Sequence, residues 1–345
     1  MRYSLVLVMV LGVGLITGGL PFDRPTAWAQ EEVQAIDNES GFYYTVKKGD
    51  TLWGISQRFA DSPWIWPELW QQNNQISNPH QIYPGERLRL FHHAATDRIG
   101  SAAAVETDAD VRESVEAPYY YYSKINSIGF IRPQPILPYG SIVQAKDDKN
   151  AISVGDIVFV RPQPQSELTV GGKYTVYRNF EPLQDTDSGL MIGVQHFLSG
   201  VIKVTSLETD FVVGQVVKSY RTIQIGDLLM PYRPRSPKIT LTDSPNGLKG
   251  KILMAEEGNE LLGFDSIAFI DKGQTDGVQP GQQYKIFYRE KRKSAQTDAD
   301  LSQSFLIPID FGQLIVLHAE ATTATVLITH ADKNIAAGAL IRSLR

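Results

Sequence analysis

The chain of 345 residues contains no cysteine. That absence excludes disulfides, Cys-ligated zinc, iron–sulfur clusters, a thiol nucleophile and an acylated cysteine as a lipid anchor. Stability has to come from buried apolar cores. Positive charge is not in excess either. Lys and Arg number 33 against 38 Asp and Glu, a formal net charge of −5. A nucleic-acid partner, which needs a basic surface to neutralise phosphates, is not expected. Histidines are few and scattered: His80, His92, His93, His196, His318 and His330 form no H-x-H or H-E-x-x-H pattern, so no metal site is expected. The chain also lacks a G-x-S-x-G elbow and a phosphate-cradling glycine loop. A glycosidase needs two carboxylates held across a groove. Glu256, Glu257 and Glu260 lie close in sequence, but their setting between strands reads as a solvated loop. No catalytic residue and no cofactor is expected.

Long apolar runs are equally scarce. The one present spans Leu5 to Leu20, follows Arg2 and is loosened by Gly12, Gly14, Gly18 and Gly19. It is short for a membrane span, which needs about 20 residues. Ala27-Trp28-Ala29 follows as a small-x-small cleavage pattern, so the reading is a secretory signal peptide cleaved after Ala29. An uncleaved N-terminal anchor is the alternative. Cleavage removes Arg2, Arg24 and Asp23, which makes the net charge one unit more negative. No later stretch is apolar enough to span a bilayer. Export without cysteine fits a periplasmic or cell-wall location better than a disulfide-rich secretory one.

What is present divides into blocks. Residues 30–41 read as a flexible polar leader. Residues 42–91 are dense in tryptophan and tyrosine. Residues 92–117 carry six acidic and two basic side chains with almost no large apolar one, and read as a flexible acidic linker. From Pro118 onward, short β-rich runs such as Asp156–Arg161 and Phe211–Val217 alternate with Gly, Pro, Asn and Asp clusters, the rhythm of small barrels or sandwiches. Tyr119–Tyr122 is expected to pack as an edge strand on the first of them. This half repeats itself. A shift of 110 residues aligns Gly140 with Gly250, Ile142 with Ile252, Phe159 with Phe269 and Tyr174 with Tyr284. A shift of 112 aligns Gly200 with Gly312, Val204 with Val316, Glu208 with Glu320 and Gly226 with Gly338. The expectation is two tandem related β-barrel-like domains, at 118–235 (with a lead-in segment) and 236–345.

The aromatic block reads as strand, helix, helix, strand. Lys48-Gly49-Asp50 makes a turn, and Asp50 or Thr51 caps a helix whose Leu52, Ile55 and Phe59 share one face. Trp66, Leu69 and Trp70 recur at helical spacing, and Arg87–Phe91 returns as a strand. The block resembles a LysM (lysin motif) domain. It carries Y-x-V-x-x-G-D-T-L-W-x-I-S from Tyr44, P-E-L-W-x-x-N from Pro67 and I-x-N-P-x-x-I-x-P-G-x-x-L-x-L from Ile76. The resemblance implies a small βααβ fold that binds peptidoglycan or a chitin-like glycan containing N-acetylglucosamine. By motif position it also implies a groove formed by Gly49, Asp50, Thr51 and Leu52 with Ile76, Asn78, Pro79 and Ile82, with Tyr83 as a stacking face. The whole is then multidomain, α+β followed by all-β. The function read from it is non-catalytic glycan binding, with the tandem β domains (residues 118–345) engaging an envelope protein. A wall hydrolase with an unrecognised site, or a wall-anchored structural component of an envelope assembly, are the alternatives.

Overall fold

The computed structural model describes residues 40–60, 62–90, 117–149, 151–185, 188–292 and 305–344. The expected signal peptide, the leader up to residue 39 and the expected linker up to residue 116 lie outside them.

The aromatic block forms the four expected elements. β1 (Ser40–Thr45) turns Phe42 and Tyr44 to one face, as the period of two requires. In the turn that follows, the Asp50 N–H donates to the Lys47 carbonyl at 3.1 Å and Gly49 sits at φ +89°. A Cβ at Gly49 would meet nothing within 4 Å, so the left-handed backbone, not crowding, selects glycine. α1 (Leu52–Ala60) buries Leu52, Ile55 and Phe59 on one stripe. A 3-10 turn at Pro63–Ile65 leads into α2 (Trp66–Gln71), where Leu69 is fully buried. β2 (Arg87–Arg89) returns antiparallel to β1 with Leu88 opposite Tyr44.

Nearly all regular structure beyond this block is strand. β3 (Tyr119–Tyr122) and β4 (Phe130–Arg132) precede β5 (Gly140–Ala145), β6 (Ile157–Pro162), β7 (Lys173–Asn179), β8 (Leu183–Gln184), β9 (Met191–Leu207), β10 (Val212–Ser219) and β11 (Leu228–Pro231). β5 pairs with β6, β6 with β10, β10 with β9, β9 with β7, β7 with β11, and β11 with β5 again, so the six close into a circuit. After β12 (Lys238–Thr240) come β13 (Lys249–Ala255), β14 (Leu261–Leu262), β15 (Ile267–Ile270), β16 (Gln283–Arg292), β17 (Phe305–Ala319), β18 (Ala324–Ala331), β19 (Ile335–Ala336) and β20 (Leu340–Ser343). Here a closed barrel runs β13-β15-β18-β17-β16-β20. Strand for strand, its pairing order is that of the first circuit. The bridge Ile152–Ile223 in the first has its counterpart in Leu262–Ile335 of the second. Each circuit encloses its own apolar core, with Ile142, Val176 and Ile202 in one and Ile252, Ile286 and Leu314 in the other.

The tyrosine run does not lie where expected. β3 pairs with β1 on one side and β12 on the other, so the aromatic block sits in a four-stranded sheet, β12-β3-β1-β2. Tyr120 meets Phe42 edge-on at 4.8 Å. The inner face of this sheet then lies over Ile315, Leu317 and Leu327 of the second barrel in one continuous cluster. β17 is thereby buried on both faces, with Leu314 and Val316 inside the barrel and Ile315 and Leu317 under the sheet. In the first barrel the aligned positions are Lys203, Thr205 and Gln215, all exposed. The registers correspond, since Lys203 lies opposite Gln215 and Ile315 opposite Leu327. Three polar-to-apolar differences thus decide which barrel carries the sheet. The loose tethering suggested by residues 92–117 is replaced by a shared core, and the sheet and both barrels belong to one compact unit.

β4 joins the two barrels. It pairs with β9 of the first, while the Thr323 and Thr325 hydroxyls of the second donate to the carbonyls of Ile131 and Gly129, each at 2.8 Å. The Gly129 N–H donates to Glu256, and a Cβ at Gly129 would fall 2.4 Å from the His196 carbonyl oxygen. Glu256 is buried, not solvated as its loop position suggested. Its Oε2 accepts from Arg221 Nη2 at 3.0 Å, and Arg221 also donates to Glu257 and to the carbonyls of Ser127 and Leu198. These partners lie far away in the chain, which is why proximity in sequence misled. Burial pushes the Glu256 carboxyl up, and the Arg221 charge opposes it.

His196 on β9 is fully buried, with its ring stacked on Phe130 at 4.8 Å. Its Nε2 accepts from the Ile136 N–H at 3.0 Å, and Nδ1 faces the Val194 carbonyl at 3.1 Å. Both contacts suit the neutral ring, and burial pulls its pKa down to about 4. The unfolded chain takes the proton near pH 6.5, so between the two values it binds more protons than the folded chain. The neutral ring's contribution is complete above pH 6.5 and is lost as pH falls toward 4, about 3 kcal/mol in all. We expect the urea midpoint to fall across this window and the fall to shrink in His196→Gln. An equal fall in both proteins would assign the effect elsewhere.

Candidate functional site

Two loops of the aromatic block hold the residues singled out by motif position. In the first loop, Asp50 acts as a brace. Its Oδ2 accepts from the Tyr44 hydroxyl at 2.6 Å and the Lys47 N–H at 2.9 Å, and its Oδ1 lies 3.6 Å from Arg58. Arg58 also donates to the Tyr44 hydroxyl at 3.1 Å. Burial, with the Asp50 hydrogen bond and charge, pushes the Tyr44 hydroxyl up to about 12, so it stays a donor. Burial also holds the Lys47 ammonium below its usual value, with Arg58 adding to the effect. Thr51 is the helix cap, its Oγ1 accepting from the Gly54 N–H at 3.1 Å.

The second loop is built around Asn73. This buried side chain donates to the carbonyls of Leu69 (2.7 Å) and Arg89 (2.9 Å) and accepts from the Arg89 N–H at 2.7 Å, tying the end of α2 to β2. Trp70 Nε1 donates to the Ile76 carbonyl at 2.7 Å. Asn78 Oδ1 accepts from the His80 N–H at 3.0 Å, an Asx turn, and the Tyr83 N–H donates to Glu86. The loops are tied to each other by a reciprocal backbone pair. Val46 N–H donates to the Glu86 carbonyl and Gly85 N–H to the Val46 carbonyl, both at 2.8 Å.

Of the nine candidate residues, Gly49, Thr51, Asn78 and Tyr83 are exposed, and Asp50, Pro79 and Ile82 are half-buried. Leu52 and Ile76 are core residues at 2% and 5% exposure, so they position the loops and offer little surface. Sequence reasoning passed over one feature beside them. Trp53 lies two residues after the capping Thr51 and meets Trp64 edge-on at 4.7 Å, the two being 40% and 75% exposed. The signal was the W-x-W spacing of Trp64 and Trp66. Half-exposed tryptophans are an expensive use of apolar surface unless something covers them.

Elsewhere, Glu320 accepts from both Arg132 and His318, while His330 bonds Asp332. His318 and His330 therefore face different carboxylates. Glu208 and Glu320 both sit in turns, each with its N–H closing the loop, to Phe211 and Thr323 respectively.

Comparison with known proteins bears on the aromatic block. Residues 44–91 match the LysM domain family, and this match does not extend into the β-rich half. The chain is similar to the uncharacterized protein YqbP of Bacillus subtilis (strain 168), 37% identical over 57 residues that cover 14% of this chain and 26% of that protein. It is also similar to the uncharacterized lipoprotein YgeR of Escherichia coli (strain K12), 29% identical over 145 residues, 41% of this chain and 53% of the relative. The chain thus covers from about a quarter to about half of these curated relatives. With the βααβ order, the two tied loops and the family match agreeing, residues 44–91 are a LysM domain, a module of the glycan-binding kind.

Proposed function

We propose that this chain is a non-catalytic binder of peptidoglycan, or of a chitin-like glycan built on N-acetylglucosamine. It works on the periplasmic or wall face of the envelope after removal of residues 1–29. The LysM match over loops that present Thr51, Asn78 and Tyr83 to water carries the reading. The Trp53–Trp64 pair extends this surface with flat apolar faces of the kind sugar rings stack on. A relative named as a lipoprotein supports an envelope location, and among the described residues no helix is long and apolar enough to cross a membrane. The matching pairing order of the two β circuits supports tandem duplication. In this reading the pair is a module that engages another envelope component while the LysM domain holds the wall.

Co-sedimentation of the processed full chain with purified sacculi tests the proposal. Trp64→Ala and Tyr83→Ala remove exposed rings, so each is expected to weaken pelleting roughly five- to tenfold, as loss of a contact worth about 1 kcal/mol does. The urea midpoint should stay unchanged. A chain that never pellets, or pelleting indifferent to both substitutions, would overturn the site.

A further inference from the structure

A cavity of about 480 Å³ opens where the first barrel, β4, the 231–235 connector and the second barrel meet. Its walls carry three guanidinium groups, Arg132, Arg233 and Arg235, and one carboxylate, Glu320. Glu320 is already engaged. It accepts from Arg132 Nε and Nη2 at 2.9 and 3.1 Å, and from His318 Nε2 at 2.9 Å. Arg235 is half-buried, and among the described residues its guanidinium donates only to main-chain carbonyls, those of Ile128 at 3.0 Å and Ile125 at 3.4 Å. Among the described residues neither Arg233 nor Arg235 has a carboxylate partner. The buried Phe130 ring packs against two of the cations, 5.1 Å from Arg132 and 5.8 Å from Arg235, and the half-buried Ile136, Tyr139 and Met230 supply an apolar wall.

This is a local excess of two positive charges on a chain of net charge −5. Arg235, drawn partly out of water with no carboxylate bonded to it among the described residues, is unfavourably placed, while Arg233 stands exposed at the rim. Burial holds the Arg235 pKa below its usual value, even though the Glu320 and Glu256 charges oppose the shift. A guanidinium stays charged regardless, so the strain falls on the charged form and an anion relieves it. A neutral sugar accepts hydrogen bonds but brings no charge to offset the arginines. Planar guanidinium forks match carboxylate and phosphate oxygens two at a time, and a cavity of this size with a mixed wall suits a small molecule.

We propose that this cavity binds a small amphipathic anion, its carboxylate or phosphate head between Arg233 and Arg235 and its apolar body against the half-buried Ile136, Tyr139 and Met230. The site is separate from the LysM loops and stands or falls independently of glycan binding.

Calorimetric titration of the full chain with octanoate, octyl phosphate, inorganic phosphate and octanol tests it. At least one of the two amphipathic anions is expected to bind below millimolar concentration, with inorganic phosphate at least roughly tenfold weaker and octanol weaker still. Which head group binds tighter identifies the head. Arg233→Gln, at an exposed side chain with no carboxylate partner among the described residues, should weaken binding by about tenfold or more at unchanged melting temperature. Arg235→Lys, which keeps charge but loses the fork, should also weaken it. Absence of binding by both amphipathic anions, octanol binding as tightly as octanoate, or undiminished affinity in Arg233→Gln would each overturn the proposal. The octanoate–octanol comparison needs no variant.

Discussion

Replacing Ile315 with lysine and Leu317 with threonine lifts the LysM sheet off the second barrel and leaves the barrel closed. These are the residues at the aligned positions of the first barrel, Lys203 and Thr205, where the same strand pairing persists with both side chains in water. The barrel interior keeps Leu314 and Val316. What is lost is two buried aliphatic side chains, each contributing about 1.5–3 kcal/mol when fully covered, and a lysine beneath the sheet adds a desolvation penalty. The expected loss is about 3–6 kcal/mol, on the scale of a small domain's entire stability. The chain carries its own reporter. Four of its five tryptophans, Trp53, Trp64, Trp66 and Trp70, lie in the LysM domain and the fifth, Trp28, in the expected signal peptide. Tryptophan fluorescence therefore follows the LysM domain, while far-ultraviolet circular dichroism follows the barrels. In the native sequence the two urea transitions should coincide. In the double variant fluorescence should unfold first, and coincident transitions there would show that the shared core carries no coupling.

Arg221→Ala is expected to be as damaging at the barrel junction. It removes the charge facing Glu256, whose side chain is 1% exposed, and strips donors from the carbonyls of Ser127 and Leu198. Breaking a buried pair by removing one partner costs about 3–5 kcal/mol because the other charge stays in place. Adding Glu256→Gln should recover part of the loss, since a neutral amide is easier to keep buried. The pH dependence has a definite sign. Without Arg221, the Glu256 carboxyl is pushed further up in the folded chain than in the unfolded one. The folded state then binds the extra proton, and the gap between variant and native chain should narrow as pH falls from 7 toward 5. A gap that stays constant with pH, or a double variant no more stable than Arg221→Ala, would remove Glu256 as the cause.

How much of this was legible depended on whether the partners were local. Leu52, Ile55 and Phe59 buried as read, because a helix stripe is set by spacing alone. The turn at Gly49 and the cap at Thr51 follow from single-residue chemistry. The strand pairing common to the two β circuits fits the aligned glycines and isoleucines. Glu256 misled because the charge that compensates it comes from Arg221 and the backbone donor from Gly129, neither marked by any local pattern. Tyr119–Tyr122 was seen as a strand, but its neighbour was chosen by Phe42 on one side and by the outer face of β17 on the other. That outer face was visible in principle, since Leu314–Leu317 is an unbroken apolar run where the aligned stretch of the first barrel alternates. Within the candidate site the loops were legible and the side chains only partly so. Leu52 and Ile76 proved to be core, and Trp53 with Trp64 went unremarked because exposure is a property of the packed domain.

The sheet β12-β3-β1-β2 has a consequence for how this LysM domain behaves when excised, because β1 is flanked by a strand of its own block on only one side. Cut away before Tyr119, it would expose the backbone rungs of β1 beside Phe42 and Tyr43, an invitation to pair with another copy. The two strands that cover this edge, β3 and β12, are separated in the chain by the whole first barrel, so a fragment that keeps the LysM sheet complete must keep the first barrel as well.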